Sequence, residues 1–296
     1  MTGENEPVEH LTERGTAAPR TVVLTGSSSG IGLAAAQELA RRGWTVAMVG
    51  RNPDHLSHAL DRVRATAGAA SVTAYQCDFN ELKQVRELAA SLRSEYPRID
   101  VLANNAGGVL QGSTVDGFPA MMQANHLSHF LLSHELREQL RGGRIINTAS
   151  RAHTSGRIDP ADPWKQGSPI PMSMGDYGAA KQANILFTVE AAKRWPDILS
   201  TCFHPGVVRT NFGSSSMIMG PFFKIWPFLR TPEQGAQTMV WLATSDASAL
   251  RSGAYYQDMR LAQPTARAVD PDTARKLWES SLAAVGLVSD GSSAGS

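Results

Sequence analysis

The sequence predicts an α/β protein: a single domain holding a doubly wound parallel sheet of about seven strands, with helices on both faces. Three observations predict it. Short apolar, β-branched runs alternate with longer stretches of helical periodicity, the rhythm of βαβ units. The apolar runs are continuous rather than alternating, as in strands buried on both faces. Each run gives way to Gly, Asn, Asp, Ser or Pro, residues that can turn the chain and donate or accept hydrogen bonds. No long linker or internal repeat interrupts the pattern between residues 20 and 288.

The first strand is TVVLT at 21–25, followed by TGSSSGIG and a helical stretch from Ile31 to Arg42. Gly26, Gly30 and Gly32 lie in that turn, where glycines let backbone approach a pyrophosphate at a helix N-terminus. A plain strand-to-helix turn would carry the same spacing. The second strand, TVAMV at 45–49, exits into GRN. Readers of an unphosphorylated ribose carry an acid about 20 residues after the glycines. Here Arg51 stands instead, beside Asn52, and a guanidinium suits a 2′-phosphate. The expected cofactor is therefore NADP(H), unless Arg51 merely opens a solvated helix.

The third strand, SVTAYQC at 71–77, exits at CDF, and Asn80 to Glu95 has helical periodicity. The fourth, IDVLANN at 99–105, exits at NNAGG before a helical stretch from Met121 to Leu140. The fifth, RIINTAS at 144–150, ends in Ser150. YGAAK then opens the helical stretch Tyr177 to Arg194, with Tyr177 and Lys181 one turn apart on one face. The sixth strand, LSTCFH at 199–204, exits into HPGVVRT. Ligands of such sheets bind beyond the carboxyl ends of the strands, so these exits are where chemistry belongs.

Bulk numbers narrow the partners. Of 296 residues, 42% are hydrophobic and 19% charged, with 28 basic against 27 acidic side chains. That balance gives no electrostatic case for nucleic acid. Cys77 and Cys202 form no CxxC pair or framework, which fits a reducing compartment and a cytoplasmic location. Residues 1–19 show neither a basic start nor an apolar core of a leader, and no run approaches the ~20 apolar residues that span a bilayer. The two ends, 1–19 and 289–296, are expected to be disordered tails. His126, His129 and His134 share one helical stretch without carboxylate or cysteine partners at ligand spacing, so helix-interface positions are expected rather than a metal site.

Taken in order, TGSSSGIG, NNAG, NTAS, YGAAK and HPGVVRT resemble the short-chain dehydrogenase/reductase superfamily, across roughly residues 20 to 260. NHLSHFLL, KQANILF, TPEQGAQTMVWLA and ARKLWESSLAAVGL are similar to its branch containing retinol dehydrogenases and their bacterial relatives. The resemblance implies a Rossmann fold and an oxidoreductase moving a hydride between nicotinamide and a carbonyl or alcohol. It implies four catalytic positions, Asn125, Ser150, Tyr177 and Lys181. A phenol with a pKa of about 10 is a reluctant acid near neutrality, and a neighbouring ammonium favours its ionised form. Tyr177 would then exchange the proton, Lys181 lower its pKa and bond the nicotinamide ribose, and Ser150 hold the substrate oxygen. Asn125 would order a water linking Lys181 to solvent. Alone, Ser150 also reads as a turn cap and Asn125 as a satisfied core amide.

By the same resemblance, Ser28, Ser29 and Ile31 would line the pyrophosphate loop, and Asp78 and Phe79 would frame the adenine. Asn105, Ala106 and Gly107 would pass beneath the adenosine ribose, and Pro205, Gly206, Val208 and Thr210 would hold the nicotinamide end. Ser28 departs from the branch, which commonly has Asn there. Two loops, about 151–176 and 211–230, are expected to border an apolar substrate, with Met217 to Leu229 as a lid, an interface or a membrane-surface patch. A homodimer or homotetramer built on the helices at Met121–Leu140 and Tyr177–Arg194 is expected. The competing reading is a catalytically silent NADP(H)-binding sensor or scaffold.

Overall fold

The computed structural model describes residues 19–68, 70–165, 174–208 and 229–288. Its sheet has eight strands in the order β3-β2-β1-β4-β5-β6-β7-β8. Strands β1 (Thr21–Thr25), β2 (Thr45–Gly50), β3 (Val72–Gln76), β4 (Val101–Asn104), β5 (Arg144–Thr148), β6 (Leu199–His204) and β7 (Ala254–Gln257) run parallel. The expected parallel sheet is thus present. It gains one antiparallel edge strand, β8 (Arg260–Ala262), paired with β7. Strand order reverses between β1 and β4, which opens a crevice at their carboxyl ends.

The helices are α1 (Gly30–Arg41), α2 (Pro53–Ala67), α3 (Leu82–Glu95), α4, α5 (Met174–Arg194), α6 (Pro232–Thr244) and α7 (Pro271–Ala284). Helix α4 is composite: a first turn at Ala120–Met122, a π-helical turn at Gln123–Leu127 and a body at Ser128–Glu135. It stops short of the expected Leu140 because Leu136 leaves helical geometry (φ −99°, ψ 10°). On one face of the sheet, α1, α2 and α6 bury Leu24, Met48, Leu39, Val63 and Met239 in one cluster. On the other, α3, α4, α5 and α7 bury Leu88, Leu92, Phe130, Phe187 and Trp278. Continuous apolar strands supply both faces; Val22, Val23 and Leu24 are all fully buried yet belong to opposite clusters.

α7 closes the second face. Trp278 stacks on Phe187 with centroids 5.8 Å apart and meets Phe130 at 5.0 Å and Trp195 at 4.9 Å. The His126 ring reaches the Ser281 hydroxyl at 3.1 Å. As a result α4 has no exposed residue and α5 exposes only Lys193. The two helices expected to carry a subunit interface are already covered by their own chain.

Candidate active site

The exits of β1 and β4 form the first half of the site. Gly26 (φ +67°) runs so close to the next loop that a Cβ there would stand 2.8 Å from the Ala106 Cα. A Cβ on Gly32 would lie 2.2 Å from the Gly26 carbonyl oxygen, so only glycine lets α1 start this close to the strand. Gly32 therefore sits behind the wall, whereas Gly26, Ser28, Ser29, Gly30 and Ile31 line a cleft of about 670 Å³. Ser29 occupies the N-cap position of α1 without a side-chain cap bond. The amides of that first turn suit an anion. A glycine cradle, an uncapped helix start and a cleft of this size fit a dinucleotide pyrophosphate.

Around the rim, Arg51 and Asn52 line the cleft at the exit of β2. Asn52 also has a local duty, accepting a hydrogen bond from the His55 amide (2.9 Å) as cap of α2. At the exit of β3, Asp78 and Phe79 line the wall, and the Asp78 carboxylate accepts from the Asn80 amide at 3.0 Å and side chain at 2.9 Å. Asn105, Ala106 and Gly107 follow at the exit of β4.

That last loop is held by the first residue of TGSSSGIG, Thr25, to which the sequence reading gave no role. The Thr25 hydroxyl accepts from the amides of Asn105 (2.8 Å) and Ala106 (2.9 Å). Its other contacts are the Ala103 carbonyl at 3.2 Å and the His129 Nε2 at 3.1 Å. His129 Nδ1 in turn donates to the Asn125 carbonyl at 3.2 Å. Burial pushes the His129 ring down to about 3, so it is neutral and this tautomer is the one the contacts require. Asn125 lies in the π-helical turn, not in regular α-helix. Its side chain clasps the glycine loop, accepting from the Gly108 amide (3.2 Å) and donating to the Gly108 and Met121 carbonyls (both 2.9 Å). It does not reach the cleft wall. His129, expected only as an interface residue, thus supports the site; His126 and His134 pack in the aromatic core.

The second half comes from β5, α5 and β6. Ser150, Tyr177 and Lys181 all line the cleft. Ser150 follows β5, where its hydroxyl accepts from the Ala152 amide at 3.2 Å and also hydrogen-bonds the Tyr177 phenol. Lys181 is 3% exposed; its Nζ donates to the Thr148 carbonyl at 3.2 Å and lies 5.5 Å from the Tyr177 ring centroid. Burial pushes the Tyr177 phenol up, against a smaller downward pull from the Ser150 bond. Burial also pushes the Lys181 ammonium down to about 8. The net direction is therefore upward rather than the expected lowering, because desolvation of a phenolate outweighs the Ser150 bond, the one downward pull on the ring.

Pro205, Gly206 and Val208 continue the wall beyond β6, with Arg230 lying across Gly206. Thr210 and residues 217–228 of the expected lid fall outside the described residues, as do 166–173 of the first loop. Beside Tyr177 the surroundings are apolar: Met121 and Met122 pack with Met174, Ile158 and Trp164, and Trp164 meets Phe118 edge-on at 5.4 Å. The cleft also takes in Gly50, His55, Leu110 and His204. Of these, Gly50 and His204 had a signal in the sequence, as the first residue of the GRN exit and the residue before Pro205.

Comparison with known proteins gives a consistent picture. The profile of the family described as short chain dehydrogenase matches residues 20–162. A protein of Streptomyces sp. (strain C5) named as a daunorubicin C-13 ketoreductase, DnrU, is 49% identical over 280 residues, covering 94% of this chain and 96% of that one. Human retinol dehydrogenase 13 is 35% identical, covering 90% of this chain and 85% of its own length. A crystal structure of a Mycobacterium paratuberculosis protein without an assigned function superposes with a TM-score of 0.74 at 29% identity, over 90% of this chain and 94% of that one.

Proposed function

The chain belongs to the short-chain dehydrogenase family and is an oxidoreductase of the alcohol/ketone type, and from that premise we propose that it is an NADP(H)-dependent ketoreductase for apolar aromatic substrates. One observation carries the reading: Ser150, Tyr177 and Lys181, brought from two separate elements, meet on one wall of a cleft whose other wall is a glycine cradle. The nicotinamide supplies the hydride. The remaining work falls to the chain. Tyr177, kept protonated by burial, delivers a proton to the carbonyl oxygen, while the Ser150 hydroxyl holds that oxygen beside it. Lys181 sets a positive charge behind the phenol and bonds the ribose. Asn125 acts from behind the wall, through the glycine loop it clasps.

Arg51 at the exit of β2, with no acid after Gly50, supports NADP(H) over NAD(H). Its guanidinium would meet the 2′-phosphate, and Ser28, Ser29, Gly30 and Ile31 the pyrophosphate. Asn52, Asp78 and Phe79 would flank the adenine side, Asn105, Ala106 and Gly107 the ribose, and Pro205, Gly206, Val208 and Thr210 the carboxamide. Phe118, Trp164, Met174 and Ile158 favour a flat apolar substrate, in keeping with the named activity of the Streptomyces relative. Both cysteines are free and buried, which suits the cytoplasm. No described helix is long and apolar enough to cross a membrane. A homodimer or tetramer remains part of the reading, through a surface other than the face covered by α7; a monomer by light scattering would remove it.

The test is NADPH and NADH consumption with a panel of aryl ketones, polycyclic ketones and retinal, with Tyr177→Phe as the control. Tyr177→Phe is expected to lose at least ~10³-fold in kcat while still binding NADPH, the scale of a lost general acid. Equal use of NADH would end the NADP(H) assignment. Retained turnover in the phenylalanine variant would end the assignment of Tyr177.

A further inference from the structure

Successive side chains of β6 point to opposite faces of the sheet. Phe203 packs on the α1 and α6 side with Leu24 and Met239, whereas Cys202 packs on the other side with Ala149, Ile185 and Tyr255. His204 comes next but one to Cys202 and so shares its face, the one that carries Tyr177. Register fixes its depth. Phe203 pairs with Thr148, and the Ala149 amide donates to the Phe203 carbonyl at 2.8 Å. His204 therefore stands level with the step from Ala149 to Ser150. It lines the same cleft as Ser150, Arg151 and Tyr177.

His204 is 4% exposed, and its Nδ1 has no hydrogen-bond partner among the described residues. Its neighbour His153 makes the contrast. His153 Nδ1 donates to the Ser150 carbonyl at 2.6 Å and its Nε2 accepts from the Thr265 amide at 3.3 Å, so both nitrogens are occupied. Burial, reinforced by Arg151 and Arg230 and opposed by Asp258, pushes His204 down to about 4. At neutral pH it is an uncharged ring with one donor and one acceptor. A buried polar atom left open in this way destabilises the empty site and rewards a ligand that fills it.

We propose that His204 is a specificity-determining residue that hydrogen-bonds a hydroxyl carried by the substrate next to its reacting carbonyl, making the preferred substrate a hydroxy ketone. The inference rests on the ketoreductase reading and adds a second polar anchor to it. A hydroxyl both donates and accepts, so it satisfies Nδ1 in either tautomer; an ether or keto oxygen satisfies only a protonated nitrogen. A site built around such a bond discriminates against the analogue that lacks the hydroxyl, because the imidazole is then left unpaired.

The experiment compares 2-acetylnaphthalene with its hydroxyacetyl counterpart, using NADPH and the wild-type, His204→Phe and His204→Asn proteins. The readout is the ratio of kcat/KM for the two ketones, so intrinsic differences in their reactivity cancel between variants. The wild-type preference for the hydroxy ketone is expected to fall about tenfold in His204→Phe, equivalent to roughly 1.4 kcal/mol. His204→Asn, whose amide both donates and accepts, is expected to keep most of it. An unchanged ratio in His204→Phe overturns the proposal and leaves the ketoreductase reading standing, since both ketones still turn over. Weakened NADPH binding with an unchanged ratio assigns the imidazole to the cofactor and overturns it equally. Absence of any Tyr177-dependent turnover, here and across the wider panel, sinks the underlying reading and this inference with it. NADPH titration reports whether each variant is folded, and His204→Leu replaces His204→Phe if the larger ring is not accepted.

Discussion

Lys181 is asked to be charged and buried at once. Its ammonium is held down to about 8, well below an ordinary lysine near 10.4, because it is almost wholly removed from water. Tyr177, pushed upward, stays protonated throughout the working range. The first group to change charge as pH rises is therefore the lysine. For reduction, kcat/KM is expected to fall on the alkaline side with an apparent pKa near 8, as the buried lysine loses its charge. A rate profile from pH 6 to 11 checks this; a limb only above pH 10 would show that Lys181 does not govern it. Stability should move the other way. The unfolded chain binds the extra proton between about 8 and 10.4, so the penalty for burying Lys181 fades as pH rises through that window. Much of this site was legible because its residues sit at strand exits with distinctive neighbours. The pairing of Thr25 with His129 was not, because a threonine ending a strand and a histidine in an apolar helix look the same in sequence whether or not they meet.

The composite helix α4 and the glycine loop it faces work as one element. Asn125 can clasp that loop because the π-helical turn departs from the regular i→i−4 ladder. Gly107, at φ +136°, leaves room for it; a Cβ would come within 2.3 Å of the Asn125 Oδ1. Gly107→Ala is expected to displace the amide, lower kcat/KM at least ~10-fold and cost about 1–3 kcal/mol. Urea melts and NADPH turnover check both arms, and wild-type turnover in the variant would show that the clasp is dispensable. The sequence pattern revealed the helix but not its extra residue, since a π turn has no residue signature of its own. Nor did it reveal β8. Arg260, Leu261 and Ala262 are too few and too exposed to read as a strand, and the turn before them uses Asp258 and Met259 at positive φ (53° and 60°) where a glycine would have signalled it. β1, β2, β4, β5 and β6 were readable because burial on both faces demands an unbroken apolar run; β3, an edge strand buried only at Val72, was readable from its β-branched and aromatic residues.

For the molecule as a whole, buried histidines set the acid limit. His126, His129 and His204 are held at about 4, 3 and 4, against roughly 6.5 when unfolded. Their folded values are lowered, so nothing is lost above pH 6.5. Below it the unfolded chain takes up protons that the folded one refuses, and stability falls. At pH 5 the loss is at most roughly 2 kcal/mol per histidine. The urea midpoint should drop clearly between pH 8 and pH 5; a constant midpoint would refute this account. The cover formed by α7 has a consequence of another kind, in the order of synthesis. Phe130, Phe187 and Trp195 leave the ribosome well before Trp278, the ring that completes their cluster. Until residues 271–284 emerge, the nascent chain carries an open aromatic face that it can bury only against something else. Final closure of this core thus waits for the end of translation, and a ribosome stalled before Trp278 would hold a chain that needs a chaperone's shelter.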